Sequence, residues 1–307
     1  MKLAKKTLVP FIAAASALLL ASCAQESAAP AASSAAAVPA ASAAPATSAA
    51  ASSAPAADPC APENLTTVQP GTLTIGTDSP AYPPYFVDDD PSNGKGFESA
   101  VAYAVADGLG FAPDAVTWAV VAFNTSYAPG DKNFDFDVNQ ISITPERAEV
   151  VDFSDGYYTV NQAVIALKDS PIAKATSLAD LQSANLGAQV GTTSLDFIES
   201  VVQPENKSQV FNDTNDAKSA MNNGQIDGLV VDLPTAYYIT AVEIPEAKII
   251  GQFQAQEGGE QFGLLFQKGN PLVSCVNQVL ADLKASGELQ SIQDEWMAGT
   301  TAPYFKE

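Results

Sequence analysis

Ile141-Ser142-Ile143-Thr144-Pro145-Glu146-Arg147-Ala148-Glu149-Val150-Val151-Asp152-Phe153-Ser154-Asp155 carries Arg147, the only arginine in the chain. Fourteen basic residues stand against thirty-five acidic ones, so guanidinium is almost excluded from this composition. The one that remains follows two small hydroxyl residues, Ser142 and Thr144. A guanidinium presents a planar fork of donors that meets a carboxylate in two parallel hydrogen bonds. Hydroxyls nearby donate to the same oxygens. The segment reads as a carboxylate clamp. The plainer reading is a surface arginine paired with Glu146 or Glu149, and the flanking sequence favours the clamp.

Outward from this segment, strand and helix patterns alternate. Leu73, Ile75 and Thr77 alternate with Thr74, Gly76 and Asp78, a strand signal. Phe97, Val101, Ala104 and Val105 share one face of a helix that ends near Gly108 or Gly110. Residues 116–123, 136–143 and 158–167 read as strands, and shorter ones recur near 187–190, 228–231 and 248–250. Helical patterns lie at 177–183, 194–202 and 216–222. Two more follow, one opened by Asn270-Pro271 and one carrying Leu289, Ile292 and Trp296, where Trp296 is expected in the core. Such alternation implies mostly parallel sheets flanked by helices. The stretch is long for one core and suits two.

Taken in order, five segments resemble the family 3 extracellular solute-binding proteins, the polar amino acid receptors of ABC importers. They are Leu73-Thr74-Ile75-Gly76-Thr77-Asp78, Gly96-Phe97-Glu98, the run from Ser142 to Tyr157-Tyr158, Gly191-Thr192-Thr193, and Asp227-Gly228-Leu229-Val230-Val231-Asp232. The resemblance covers about residues 70 to 300. It implies an α/β, two-lobed periplasmic-binding-protein-like fold of type II, each lobe a mostly parallel sheet flanked by helices, with two crossover hinge strands. Lobe one is then 59–158 and 263–307, and lobe two with its hinge segments is 159–262. Crossings fall near 159–162 and 256–261, the second containing Gly258-Gly259.

The resemblance also implies site roles. Arg147 with Ser142 holds a ligand carboxylate, and Thr193 from the other lobe adds to it at a helix N-terminus. Asp232 matches the ammonium acceptor, with a helix N-cap as its plainer role. Tyr82 and Phe123 match aromatics that sandwich the ligand side chain, and Asp78 an acid that contacts polar tails. Tyr85 and Tyr127 are read as core or rim, and Asp227 as structural. Gln140 departs from the small residue usual at its position, and its neighbour Asn139 departs too. With one arginine and no lysine near these motifs, a second ligand carboxylate is not expected, which argues against glutamate and aspartate.

Lys2, Lys5 and Lys6 precede an apolar run from Leu8 to Ala21 that ends in Leu20-Ala21-Ser22-Cys23. The run is short for a membrane span, and its end resembles a bacterial lipobox. Residues 1–22 are thus expected to be a lipoprotein signal peptide, with lipid on Cys23 holding the protein at the bacterial cell membrane, outside the cytoplasm. Residues 23–58 are almost wholly Ala, Ser, Pro and Thr, a composition expected to form a disordered tether. Loss of residues 1–22 would remove three lysines and no acid from a net charge of −21. So acidic a surface repels nucleic acid and anionic lipid. With no histidine in the chain, Ser/His/Asp and Cys/His nucleophile arrangements and the usual zinc sites are excluded. Cys60 and Cys275, one pair in an exported chain, are expected to form a disulfide.

These readings point to a monomeric receptor, not an enzyme, that needs no cofactor or metal. It binds a polar or cationic L-amino acid and delivers it to an ABC transporter permease. The rival is a dehydratase-like enzyme on the same scaffold acting on a small carboxylate, with Asp78, Glu98 or Asp232 as its acid or base. A sensor domain feeding a signalling partner is a third reading. Cys23→Ala is expected to release the protein from membranes or leave it unprocessed. Membrane fractionation and gel migration check this, and wild-type behaviour of the variant would remove the lipid anchor.

Overall fold

The computed structural model describes residues 58–254, 258–297, 299 and 301–306. The signal peptide, Cys23 and the tether as far as residue 57 lie outside the described residues. Lobe one opens with β1 (Leu73–Thr77), α1 (Phe97–Gly108), β2 (Val116–Val120), α2 (Phe123–Ser126), β3 (Phe136–Asp137), α3 (Pro145–Val150) and β4 (Val151–Phe153). The chain crosses through β5 (Tyr158–Val160) into lobe two. That lobe comprises β6 (Gln162–Leu167), β7 (Leu186–Gln189), α4 (Thr193–Phe197), β8 (Gln209–Phe211), α5 (Thr214–Asn222), β9 (Gly228–Asp232), α6 (Leu233–Tyr238) and β10 (Ala247–Gln252). It returns through β11 (Glu260–Phe262) and completes lobe one with β12 (Leu265–Gln267), α7 (Leu272–Ser286) and α8 (Glu288–Trp296).

The two sheets follow one plan. Lobe one has the order β2-β1-β3-β12-β4 and lobe two the order β10-β6-β9-β7-β8. In each, one strand opposes the direction of the rest: β12 in lobe one, β6 in lobe two. These are the strands that arrive from the other lobe, so the reversal is the topological mark of the crossing. β1 is buried at every position, as expected of a parallel strand covered on both faces. The crossing strands pair with each other, Glu260 with Val160 and Phe262 with Tyr158. Gly258 and Gly259 precede β11 with φ of 89° and 69°, a region costly for other residues.

Three expectations change. The strand expected to run to residue 123 stops at Val120, because Asp78 Oδ2 accepts from the Phe123 amide at 3.0 Å and turns the chain into α2. The strand expected over 136–143 stops at Asp137, because Gln140 takes a left-handed φ of 48° that no ladder accommodates. The tail assigned to lobe one also packs on lobe two. Phe305 is 4 % exposed within the lobe-two core beside Phe253, and Tyr304 bridges Gln252. An aromatic there finds a ready apolar socket, so the chain passes between the lobes a third time.

Gly96 admits only glycine. Its φ is 97°, and a Cβ there would lie 2.4 Å from the Tyr85 carbonyl oxygen. This close approach starts α1 and sets Glu98 under the cleft. Asn270 caps α7, its Oδ1 accepting from the Leu272 amide at 2.9 Å. Trp296 packs half-buried on the lobe-one core.

Cys60 and Cys275 form a disulfide that closes a loop of 215 residues and ties the start of the described chain to α7. Replacing both by alanine is expected to lower the unfolding free energy by about 2–5 kcal/mol, most of it from the freer unfolded chain. Urea denaturation checks it, and an unchanged midpoint would leave the bridge without a part in stability.

Candidate functional site

The site forms where β1, β3, β7 and β9 end, since the loops leaving these strands converge between the lobes, where open α/β sheets place ligands. Asp78, Tyr82, Phe123, Gln140, Ser142, Arg147, Thr193 and Asp232 all line one pocket of about 100 Å³. Several hydrogen bonds hold the lobes together: one between Tyr85 Oη and Thr235 Oγ1 at 3.2 Å, one from Asn124 Nδ2 to the Asn212 carbonyl at 3.2 Å, and one from Asn215 Nδ2 to Tyr82 Oη.

Arg147 is 8 % exposed. Its Nη1 donates to the Ser142 carbonyl at 2.6 Å, and Nη2 reaches across to the Gly191 carbonyl at 2.8 Å. The rings of Phe123 and Tyr127 lie 5.5 and 4.9 Å from its Cζ. Tyr127 therefore has a part in holding the guanidinium, beyond rim packing. Among the described residues Arg147 forms no ion pair, so the pairing with Glu146 or Glu149 does not occur. Burial lowers its pKa, opposed by the charges around it. Thr144 does not join the clamp: its hydroxyl caps α3, accepting from the Arg147 amide at 3.2 Å.

Ser142 and Thr193 both have a protein carboxylate as acceptor. Each hydroxyl donates to Glu260 Oε1, at 2.5 and 2.6 Å. Gln162 Nε2 reaches the same carboxylate at 3.1 Å and Asp232 Oδ1 at 2.6 Å, while its Oε1 accepts from Ser194 Oγ at 2.6 Å. One amide thus spans two acids. Asp232 fills the N-cap position of α6 but makes no cap hydrogen bond. Burial, and next the charge of Glu260, raise its carboxyl well above the ordinary range, while Gln162 and Arg147 pull it down. Asp227 is structural, its Oδ2 accepting from the Asn185 amide at 2.7 Å.

Below the pocket, Glu98 explains Gln140. Glu98 is fully buried; its Oε1 accepts from the Gln140 amide at 2.7 Å and from Tyr157 Oη at 2.5 Å, and its Oε2 from Gln140 Nε2. Two of these three hydrogen bonds come from Gln140 itself and hold it in its left-handed conformation, while the Tyr157 hydroxyl steadies the acid. Asn139 also lines the pocket, and its Nδ2 is buried with no protein partner.

Sequence reasoning misses Glu260, Gln162, Lys218 and Glu243. Gly258-Gly259 marks a flexible crossing, but nothing local says that the next residue points inward. Pairing with β5 decides it, because Glu260 opposite Val160 lies beside Gln162. Lys218 overturns the expectation that no lysine stands near the site. α5 carries it to the pocket wall, where Nζ bonds both Glu243 oxygens at 2.8 Å and lies 5.3 Å from the Tyr82 ring centre. A cation does stand near the site, but it is already engaged by a carboxylate. Asp78 has both oxygens engaged, by the amides of Ser79 and Phe123.

The family model of bacterial extracellular solute-binding proteins, family 3, matches residues 73–299. The arginine-binding extracellular protein ArtP of Bacillus subtilis (strain 168) is 26 % identical over 230 residues, 74 % of this chain and 86 % of that protein. An ancestral arginine-binding protein, solved bound to glutamine, superposes with a TM-score of 0.63 at 29 % identity, covering 74 % of this chain and 97 % of that one. The ancestral amino acid-binding protein AncCDT-1, a precursor of cyclohexadienyl dehydratase, gives 0.60 at 30 % identity, with 74 % and 95 % covered.

Burial outweighs the hydrogen bonds from Tyr157 and Gln140 and lifts the Glu98 carboxyl from 4.5 to about 7. The folded state then holds a proton that the unfolded state releases. Its contribution to stability is complete below pH 4.5 and is lost as the pH rises through about 7. Glu98→Gln is expected to remove a decline on the order of 3 kcal/mol across that window. Denaturant unfolding over a pH series checks it, and a variant with the wild-type slope would show that Glu98 does not titrate there.

Proposed function

The chain belongs to the bacterial extracellular solute-binding proteins, family 3, and from that premise we propose that it is an extracytoplasmic receptor for a polar or cationic L-amino acid. In this reading it is a monomer anchored by lipid on Cys23, and it hands its ligand to an ABC importer without chemical change. The observation that carries the proposal is the pairing of Arg147 and Asp232 across one pocket. Arg147 is a buried cation with no acid partner among the described residues, and Asp232 is an acid whose charge is suppressed by burial and by Glu260. A zwitterion supplies what each lacks. Its carboxylate takes the free donors of Arg147, and its ammonium faces Asp232 and offsets the Glu260 charge that raises the Asp232 carboxyl.

Tyr82 and Phe123 flank the side chain of the ligand in this reading, and Ser142 and Thr193 follow as Glu260 yields them. Arg147 supplies the closing force, because its reach to Gly191 joins lobe one to lobe two. The permease recognises the closed form.

One observation favours the dehydratase-like rival: Asp232, whose carboxyl burial and Glu260 raise, shares the pocket with the Arg147 guanidinium, and a raised carboxyl is what a general acid needs. Glu98 is not available for that role, being fully buried beneath Gln140. Conversion of small carboxylates, followed by chromatography, separates the rival from the receptor.

Arg147→Ala and Asp232→Ala are each expected to weaken amino acid binding by about 2–5 kcal/mol, roughly 30- to 5,000-fold, with the fold retained. Calorimetry on variants checked by circular dichroism is the measurement. Near-wild-type affinity in both would remove the clamp. Loss in Arg147→Ala alone would point to a ligand with a carboxylate and no ammonium.

A further inference from the structure

The pocket holds a second pair of opposite charges. Lys218 on α5 and Glu243, five residues beyond α6, meet at 2.8 Å. Their side chains are 11 % and 29 % exposed. The Lys218 ammonium also lies over the face of Tyr82, whose hydroxyl is bonded by Asn215. Tyr82 belongs to lobe one and Lys218 to lobe two, so this pair stands where the lobes meet. It shares no hydrogen bond with Arg147 or Asp232.

Resting on the receptor reading, we infer that Lys218 and Glu243 select an amino acid whose side chain ends in a group of no net charge carrying acceptor and donor together. A carboxamide, a ureido group and a second amino-acid head all meet this description. A cationic tail seeks an acid and an aromatic face, and here the Lys218 ammonium already holds both Glu243 oxygens and the Tyr82 face. An anionic tail finds Lys218 but meets the Glu243 carboxylate beside it. The pair is a fixed dipole, and its complement is a dipolar tail: the acceptor turns to Lys218 and the donor to Glu243. Each charge attracts half of the right tail and repels one class of wrong tail, which is selection by exclusion as much as by attraction.

The test is calorimetry of the full chain with glutamine, citrulline, cystine, arginine, lysine and glutamate. Wild type is expected to bind at least one of the first three tenfold or more tighter than any of the last three. Lys218→Met leaves Glu243 and Tyr82 unopposed and is expected to turn the preference toward arginine or lysine. Glu243→Gln leaves Lys218 alone and is expected to turn it toward glutamate. Lys218→Gln serves if the methionine variant does not fold by circular dichroism. A wild type that prefers arginine, lysine or glutamate would overturn the inference and leave the receptor reading intact. So would variants that keep the wild-type order. Binding of none of the six by folded protein would overturn the inference, and binding of none of the common L-amino acids would overturn the receptor reading as well.

Discussion

One buried guanidinium holds the two halves of the site together. Arg147 bonds the Ser142 carbonyl in lobe one and the Gly191 carbonyl in lobe two. A charge taken out of water is costly unless its hydrogen bonds are made, and the neighbouring structure answers that demand with no ion pair among the described residues. Thr144 caps α3 and so fixes the turn that carries Arg147. Phe123 and Tyr127 close over the guanidinium. Phe123 is itself placed by Asp78, which ends β2 early and starts α2. The conformation of the cleft wall is in this sense a consequence of accommodating one cation.

The opposite constraint is an excess of acids. Glu98, Asp137, Asp232 and Glu260 lie in or beneath the cleft, and burial raises the first three. Each carboxyl is managed differently. Glu98 receives three hydrogen bonds and serves as a structural post for Gln140. Asp232 and Glu260 share one amide, that of Gln162. Asp137 is fully buried and has neither oxygen bonded, where a neutral carboxyl costs less than a charged one. An interior so rich in acid favours an incoming ammonium over an incoming anion at every point except beside Arg147 and Lys218.

Glu260 gives the crossing strands a role beyond joining the lobes. β5 and β11 pair, and that register sets a carboxylate between Ser142 of lobe one and Thr193 of lobe two. The hydroxyls that resemblance assigns to a ligand carboxylate are engaged by an internal one. The closed cleft thereby satisfies its own donors, which lowers the cost of closing without a ligand.

The contiguous signals were legible in the chain alone. Period-two and helical patterns, Gly96, the Asn270 cap and the run around Arg147 each lie within a few neighbouring residues, and local backbone preference acts on that scale. The eight site residues proposed from the motifs share one pocket because each lies on, or on a loop or helix just after, a strand whose end faces the cleft, and strand ends are written locally. What the tertiary structure alone decided are contacts between distant residues. Ser142 meets Glu260 across 118 positions, Gln162 meets Asp232 across 70, and Gln140 meets Glu98 across 42. Even Lys218 and Glu243, 25 apart, meet only because α5 and α6 lie against the same strand, β9. No pattern in neighbouring residues encodes such pairs. They follow from the pairing of the crossing strands and the closure of the lobes, where burial makes each charge find a partner from whichever segment the fold brings near.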